Sequence, residues 1–400
     1  MIETTASAKH FLGLSVEDFL RDYWQKKPLL IRQALPGYQA PLAPEDLAGL
    51  ACEQAALSRL VTYKRGKDQW QLRSGPFREE EFPKLGRKDW TLLVQDMDKW
   101  DADVRLLLDR FRFLPAWRVD DVMISFAVPG GSVGPHVDQY DVFLLQAQGR
   151  RRWQIDTDPD APKGFRSDAE LKLLREFTPS HEWVLEPGDM LYLPPGVPHH
   201  GEAVDACMTF SVGMRAPSQA ELIVDLAEEL AATLPEESRY HDPDLREPAD
   251  AFEIDEAAFA RVDAALAALQ NMGPAQKREW FGRFITRYRA SGEIAAAPKT
   301  PKFAAIEKSL VEGGLLQRHP FARSAWARAS SGQGKAGKSA QLFVNGEAFA
   351  MGAASARILA SYEALDEAAL AKLDAAARGA LETLIQRGHY RLQRPPRSRR

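Results

Sequence analysis

The apolar positions of this 400-residue chain change period part-way along. Up to about residue 215 they fall in short runs that suit strands. Val142-Phe-Leu-Leu-Gln146 is one such run, closed by a turn at Gln148-Gly149. Met190 to Leu193 is another, and it runs into the stiff turn Pro194-Pro195-Gly196. From Ser218 the spacing becomes helical. Ser218-Gln-Ala-Glu221 is a capping box that opens an amphipathic helix to about Leu234, ahead of Pro235. Further helices fit Glu256 to Asn271, stopped by Gly273-Pro274, and Ala275 to Ala290. Beyond the linker Ala295-Ala-Ala-Pro-Lys-Thr-Pro301 the pattern predicts a helix near Ala304 to Glu312 and a strand around Ser324 to Ala329. A strand pair turned at Asn345-Gly346 follows, because Asn-Gly between apolar runs is a strong hairpin signal. Helices from Ser355 and Asp366 complete the unit.

Two segments carry chemistry. Gly130-Gly-Ser-Val-Gly-Pro-His136-Val-Asp138 places a histidine and a carboxylate two residues apart, and strand residues i and i+2 project on one face, so both can meet one ion. Gly188-Asp-Met-Leu-Tyr-Leu-Pro194-Pro-Gly196-Val-Pro-His199 supplies a second histidine. A lone histidine is commonly a surface or core group; two spacings met together predict a metal site. Two histidines and one carboxylate occupy one face of an ion and leave positions open, as suits non-haem Fe(II) with a co-substrate and dioxygen.

The spacings G-x5-H-x-D and G-x5-P-x-G-x2-H resemble those of the double-stranded β-helix proteins, the cupins and their relatives, and this register selects His199 over His200. Metal-binding cupins of another class present His-x-His with a following Glu. Here Asp138 stands in place of the second His, and Gln139, Tyr140 and Asp141 follow without a Glu. Next comes Arg150-Arg151-Arg152-Trp153-Gln154-Ile155, where alternation sends Arg151 and Trp153 to one side and Arg150 and Arg152 to the other. If Arg151 points inward it is a buried cation in need of an anion, and a dicarboxylate gripped in bidentate fashion would answer it. The other reading of this strand is a basic, solvated face.

G-x-R-x-W after H-x-D, with PGD-x-LY-x-PPG-x-PH, looks like the JmjC-type 2-oxoglutarate oxygenases. Within them the chain is similar to the bacterial ribosomal oxygenases that hydroxylate an arginine of the sixteenth large-subunit ribosomal protein. Phe11-Leu-Gly-Leu, Tyr23-Trp-Gln-Lys-Lys-Pro-Leu-Leu-Ile, Ile124-Ser-Phe-Ala-Val-Pro-Gly-Gly, Gly134-Pro-His-Val-Asp-Gln-Tyr-Asp-Val-Phe and Ser211-Val-Gly-Met-Arg-Ala-Pro share the likeness, which is close in the first half and one of layout in the second. The resemblance implies an α+β chain whose double-stranded β-helix, a JmjC/cupin-like jelly roll with flanking helices, is followed by a helical dimerisation region and a winged-helix-like domain. The expected division is 1–215, 216–297 and 298–390, with a basic disordered tail over 391–400. It implies Fe(II) held by His136, Asp138 and His199, and 2-oxoglutarate and O2 as co-substrates. Arg151 matches the residue that pairs with the distal carboxylate of 2-oxoglutarate, and Ser125 is a second candidate for that carboxylate. The reaction would convert 2-oxoglutarate to succinate and carbon dioxide and hydroxylate the β-carbon of a substrate arginine. The partners implied are a ribosomal protein and a second copy of the chain. Other readings are a JmjC-type lysine demethylase or hydroxylase of another protein, and a non-catalytic cupin-type binding or regulatory protein.

Composition agrees with such an enzyme: 45% of the residues are hydrophobic, enough for a core in each of two or three units. No run of about 18 apolar residues and no signal-like N-terminus is present, so membrane association is not expected and the predicted location is the cytoplasm. Cys52 and Cys207 are isolated and read as free thiols. Five of the 52 basic residues are arginines of the last ten positions, which leaves 47 against 56 acidic residues, a formal −9, in the rest. An acidic body suits a basic protein substrate better than naked nucleic acid, which is not expected to be required. Gly332-Gln-Gly-Lys-Ala-Gly337-Lys338-Ser339 satisfies the phosphate-loop pattern, but an apolar strand does not precede it and a strand rather than a helix is expected after it, so a flexible hairpin loop is the better account. Near the metal residues, Tyr140, Gln139 and Asp141 are candidates to grip a substrate guanidinium, with a turn role for Asp141 and a packing role for Tyr140 as the alternatives.

Overall fold

The structure is a computed structural model that describes residues 2–246, 254–270, 272–289, 294–296, 299, 301–329 and 338–394. The chain forms two compact units, Met1–Ala216 and Pro217–Arg400.

The first unit is built on thirteen strands: β1 Glu3–Thr5, β2 Leu29–Arg32, β3 Ser58–Lys64, β4 Gln69–Ser74, β5 Trp90–Val94, β6 Val119–Ala127, β7 His136–Val137, β8 Val142–Gln148, β9 Arg151–Ile155, β10 His181–Leu185, β11 Met190–Leu193, β12 Pro198–Ala203 and β13 Cys207–Met214. Nine form one sheet in the order β1-β2-β11-β8-β13-β6-β5-β3-β4, and four form a second in the order β10-β9-β12-β7. Met190–Leu193 is a strand as expected, and the apolar run from Val142 extends to Gln148.

The run at β8 is continuous rather than alternating because both of its faces are covered. Phe143, Leu145 and Ala147 join a core with Phe19, Phe111, Met190, Tyr192 and Phe210 on the helical side of the large sheet. Val142 and Leu144 point the other way and pack with Leu191, Leu193, Trp153, Ile155 and Leu185 between the two sheets. This is the jelly-roll layout expected, and the space between its sheets is where the chemistry-bearing residues converge.

Asp141 ties this barrel to its surroundings. Its carboxylate is fully buried and accepts hydrogen bonds from the Tyr192 hydroxyl at 2.7 Å, Gln25 Nε2 at 2.9 Å and Arg118 Nη2 at 3.3 Å. Its carbonyl accepts from Met214 N at 3.0 Å. The expectation that Asp141 grips a substrate is therefore corrected: its oxygens already serve three partners from three segments. The turn alternative is corrected as well: the carboxylate joins distant segments rather than bracing its own turn.

In the second unit the capping box at Ser218 is formed and its helix runs Gln219–Ala231, one turn short of Leu234. Helices Glu256–Gln270 and Pro274–Arg287 follow; Asn271 and Ala290, the expected ends, lie outside the described residues. Strands β14 Leu315–Arg318, β15 Ser324–Arg328, β16 Ser339–Val344, β17 Glu347–Gly352, β18 Ala364–Leu365 and β19 Tyr390–Gln393 form two three-stranded sheets, β18-β14-β19 and β15-β16-β17. The β16–β17 hairpin turns at Asn345 and Gly346 with φ of 45° and 88°, the doubly left-handed turn that Asn-Gly favours. Helices Phe303–Val311, Ala353–Ser361, Glu367–Ala371 and Ala375–Gln386 pack with β14 and β16 around Leu342, Leu359, Leu381 and Leu384. The last of these helices is not anticipated by the sequence analysis, although Asp374 caps it by accepting from Ala377 N at 2.8 Å. Most of the phosphate-loop-like segment, residues 332–337, lies outside the described residues, and Ser339 opens a strand.

Replacing Asp141 with Ala leaves the Arg118 guanidinium and the Tyr192 hydroxyl without their buried acceptor. A loss of about 3–5 kcal/mol in unfolding free energy is expected by urea denaturation; a loss under about 1 kcal/mol would show that water substitutes for the carboxylate.

Candidate active site

β12 lies between β9 and β7, and its register sets His199 opposite both His136 on β7 and Ile155 on β9. The two imidazoles face each other with ring centroids 4.2 Å apart. The strand expected to carry both His136 and Asp138 is only two residues long, and Asp138 follows its end. Its backbone is held by the proline turn, where Gly196 N donates to the Asp138 carbonyl at 2.8 Å. Gly196 has φ of 82°, so the turn that brings β11 into β12 needs a residue free to be left-handed.

Each histidine is aimed by a carbonyl two residues earlier. His136 Nδ1 is 2.9 Å from the Gly134 oxygen, and His199 Nδ1 is 2.9 Å from the Val197 oxygen. A carbonyl only accepts, so each Nδ1 carries the proton and each Nε2 offers its lone pair. Asp138 Oδ2 stands 3.7 Å from His199 Nε2 and 4.0 Å from His136 Nε2. These gaps are too long for hydrogen bonds, and the three ligand atoms are close enough together to converge on one ion with small side-chain adjustments. Among the described residues this is the one group of three whose ligand atoms lie within 4.8 Å of one another. Burial first, and the neighbouring His136 second, push His199 down to about 4, which keeps the ring neutral at pH 7 as a metal ligand must be. Tyr140, the next residue but one after Asp138, lies near that carboxylate, and its phenol is raised chiefly by burial and next by the Asp138 charge.

Arg151 points inward. Residues 151, 153 and 155 of β9 are buried while Arg152 is exposed, which decides the alternation and sets aside the basic solvated face for Arg151. Arg151 Nη1 lies 3.3 Å from Ser125 Oγ, so the structure brings these two expected residues together. Arg151 Nε and Nη2 are buried with no hydrogen-bond partner among the described residues, and so is Trp153 Nε1 on the same strand face. A buried guanidinium with two unanswered nitrogens fits a carboxylate, which it can bind through parallel hydrogen bonds. The residues present therefore suit both a divalent ion and an anionic co-substrate.

Asp121, missed by the sequence analysis, belongs to the same wall. β6 pairs with β13 so that Ser125, Met123 and Asp121 stand opposite Thr209, Ser211 and Gly213. Alternation from Ser125 puts Met123 and Asp121 on the inner face. Burial pushes the Asp121 carboxyl up to about 7, with Lys99 opposing and Asp96 and Asp120 adding to the rise. The phase of β6 relative to Ser125 was the available signal, but it had no meaning before the inward direction of Ser125 was known.

The JmjC domain model matches residues 106–222, which cover these strands, and a model described as the ROXA-like winged helix matches 265–391. A third, the AraC-like ligand binding domain, matches 178–269. The chain is 39% identical over 309 residues to the Escherichia coli ribosomal protein uL16 3-hydroxylase, a match covering 77% of this chain and 81% of that one. It is also 39% identical to a probable ribosomal oxygenase of Haemophilus influenzae, over 58% of this chain and 55% of that one. Among solved structures, that of E. coli YcfD superposes with a TM-score of 0.80 at 34% identity, covering 96% of this chain and 99% of that one. The YcfD ribosomal oxygenase in complex with cobalt and 2-oxoglutarate superposes at 0.78, also at 34% identity, covering 95% and 99%. Fold and site together define a JmjC-type, 2-oxoglutarate-dependent dioxygenase. More narrowly, the chain belongs to the ribosomal oxygenase family. The non-catalytic cupin-type reading is thereby set aside.

Because the Arg151 charge is buried without an internal anion, Arg151→Met is expected to leave the protein free of co-substrate as stable or to stabilise it by about 1–4 kcal/mol. The same change is expected to remove the rise in melting temperature that 2-oxoglutarate produces in the parent. Thermal melts with and without the dicarboxylate check both; a variant still stabilised by 2-oxoglutarate would take Arg151 out of its binding.

Proposed function

We propose that this chain hydroxylates the β-carbon of an arginine in ribosomal protein uL16, with Fe(II) held by His136, Asp138 and His199. The distal carboxylate of 2-oxoglutarate is then bound by Arg151 and Ser125. The observation that carries the reading is the pairing of a three-ligand cluster with a buried, unanswered guanidinium inside one barrel. Bound Fe(II), with 2-oxoglutarate and dioxygen, supplies the oxidative chemistry that places one oxygen atom on a carbon. The protein's part is placement. The two Nδ1–carbonyl hydrogen bonds hold the imidazoles in the tautomer that ligates, and the Gly196 N–Asp138 carbonyl bond fixes the backbone that carries the carboxylate. Arg151, gripping the far end of the dicarboxylate, directs its keto-acid end toward the cluster.

A substrate arginine needs an anion at its guanidinium, and Asp121 takes the place first given to Asp141. Its carboxyl is held up by burial, and an incoming cation favours the ionised form. The formal −9 of the chain before its last ten residues favours a basic protein as substrate.

The proposed organisation is an oxygenase domain over 1–215, a helical dimerisation region over 216–297 and a winged-helix-like domain from 298; the expected boundary at 390 is corrected, because residues 391–393 belong to β19 and pair with β14, so the basic tail begins after Gln393. Helix Pro274–Arg287 serves both of the middle parts, since Gly346 N donates to Thr286 Oγ1 at 3.0 Å and Arg323 Nη1 to the Tyr288 carbonyl at 2.7 Å. Homodimerisation is supported by Ile223 and Val224 on the first helix of this unit and by Phe259, Val262 and Leu266 on the second, all exposed. The last three repeat at helical spacing and form one apolar stripe. No described helix is long and apolar enough to cross a membrane. Ribosomal protein modification would place the enzyme in the cytoplasm, with no requirement for nucleic acid.

Incubation with Fe(II), ascorbate, 2-oxoglutarate and recombinant uL16, followed by peptide mass spectrometry, is expected to show one oxygen atom gained on one arginine, and none with Asp138→Ala. Succinate formation without that gain would keep the oxygenase and discard the substrate; formaldehyde release would indicate a demethylase. In the same assay Asp121→Asn is expected to raise KM for uL16 without changing KM for 2-oxoglutarate. Parent affinity for uL16 should improve as pH rises through about 7, because Asp121 ionises there. Independently, Phe259→Asp with Leu266→Asp is expected to halve the mass seen by light scattering; an unaltered mass would place the dimer contact elsewhere.

A further inference from the structure

β12 presents two adjacent histidines, and only His199 joins the cluster. Its neighbour points to the opposite face, as strand alternation requires. There His200 Nε2 lies 3.0 Å from Ser132 Oγ. Ser132 is 3% exposed, and its hydroxyl oxygen also accepts from Gly134 N at 2.9 Å. The carbonyl of that same Gly134 receives His136 Nδ1 at 2.9 Å.

We infer that His200 is a positioning residue for His136, acting through the Ser132 hydroxyl and the Gly134 backbone; the inference rests on the reading of His136 as a metal ligand. The ladder alone holds His136 weakly, because β7 pairs with β12 at only two positions, Pro198↔Val137 and His199↔His136. The direction of the Gly134 carbonyl therefore depends on the loop before it. That loop is clamped to β12 by the Ser132↔Glu202 bridge, by Gly130 N donating to the Ala203 carbonyl at 2.8 Å and, at the Ser132 side chain, by the His200–Ser132 hydrogen bond. Gly134 has φ of 78°, and a Cβ on it would fall 2.6 Å from Leu173 and 3.2 Å from Trp70, so the chain is confined on its far side as well. Phe177 closes on the His200 ring edge-on, with centroids 6.3 Å apart at 84°. One strand thus places both imidazoles: His199 by carrying it, and His136 by a relay of three hydrogen bonds from the residue beside it. Outer partners of this kind are commonly worth about 10–100-fold in metal affinity.

The test is Co(II) titration of the full-length protein followed by visible absorption, with the parent and Asp138→Ala as references. His200→Leu and Ser132→Ala are each expected to weaken Co(II) binding about tenfold or more. The double variant is expected to bind no more weakly than the worse single one, because both changes break the same relay. His200→Gln should restore affinity and band positions, since its terminal amide reaches the place of Nε2. Parent-like affinity and spectrum in both single variants would overturn the inference, as would losses that add in the double variant or a failure of Gln to rescue. If His200→Leu does not fold, Ser132→Ala against the parent decides. A parent that binds no Co(II) would instead remove the metal site on which the inference stands.

Discussion

The placement of β12 between β9 and β7 is the constraint on which the remaining geometry depends. Antiparallel pairing sets His199 across from His136 on one side and from Ile155 on the other. The side-chain period of a strand is two, so a slip of one residue would turn His199 outward, bring His200 inward and dissolve the cluster. The register is held by flanking structure rather than by the short β7 ladder. The Pro194-Pro195-Gly196 turn fixes where β12 begins, and Trp153 packs so closely over Gly201 that any Cβ there would stand 2.7 Å from the ring. The proposed metal site is therefore a consequence of sheet registration, and the loops finish it.

Three of the inward charged groups stand under different conditions. Asp141 is buried deepest and fully answered, with hydrogen bonds from a hydroxyl, an amide and a guanidinium, so it acts as structure. Arg151 is buried beside the Trp153 ring with one hydrogen bond and two unanswered nitrogens, whereas Asp121 accepts from Asp96 N at 2.9 Å and has a carboxyl that burial raises to about 7. These two residues match the two ends of the proposed chemistry, an anionic co-substrate for the arginine and a cationic side chain for the aspartate. Stability alone would not select Arg151, because an unpaired buried charge is unfavourable until its ligand arrives.

The second unit separates local from long-range information in another way. Its Asn-Gly hairpin and its capping box formed where the sequence placed them, since each is decided by a few neighbouring residues. Helix Ala375–Gln386 was not anticipated, because its small, alanine-rich stripe becomes a core face only against β17 and β19. The exposed stripe of Phe259, Val262 and Leu266 is the converse case, an apolar face that the described chain does not cover.

What the sequence by itself determined was the local chemistry. The spacing of His136, Asp138 and His199, the proline turn before β12, the alternation along Arg151 to Ile155 and the family resemblance were legible because each rests on neighbouring residues. Tertiary structure alone decided which face of each strand is interior. Only with β6 and β9 set facing each other does Ser125 meet Arg151, and only then does Asp121 fall on the inner wall and Asp141 become fully enclosed. Such facts follow from strand register and from contacts between residues far apart in the chain, and one-dimensional patterns of hydrophobicity and spacing do not encode them.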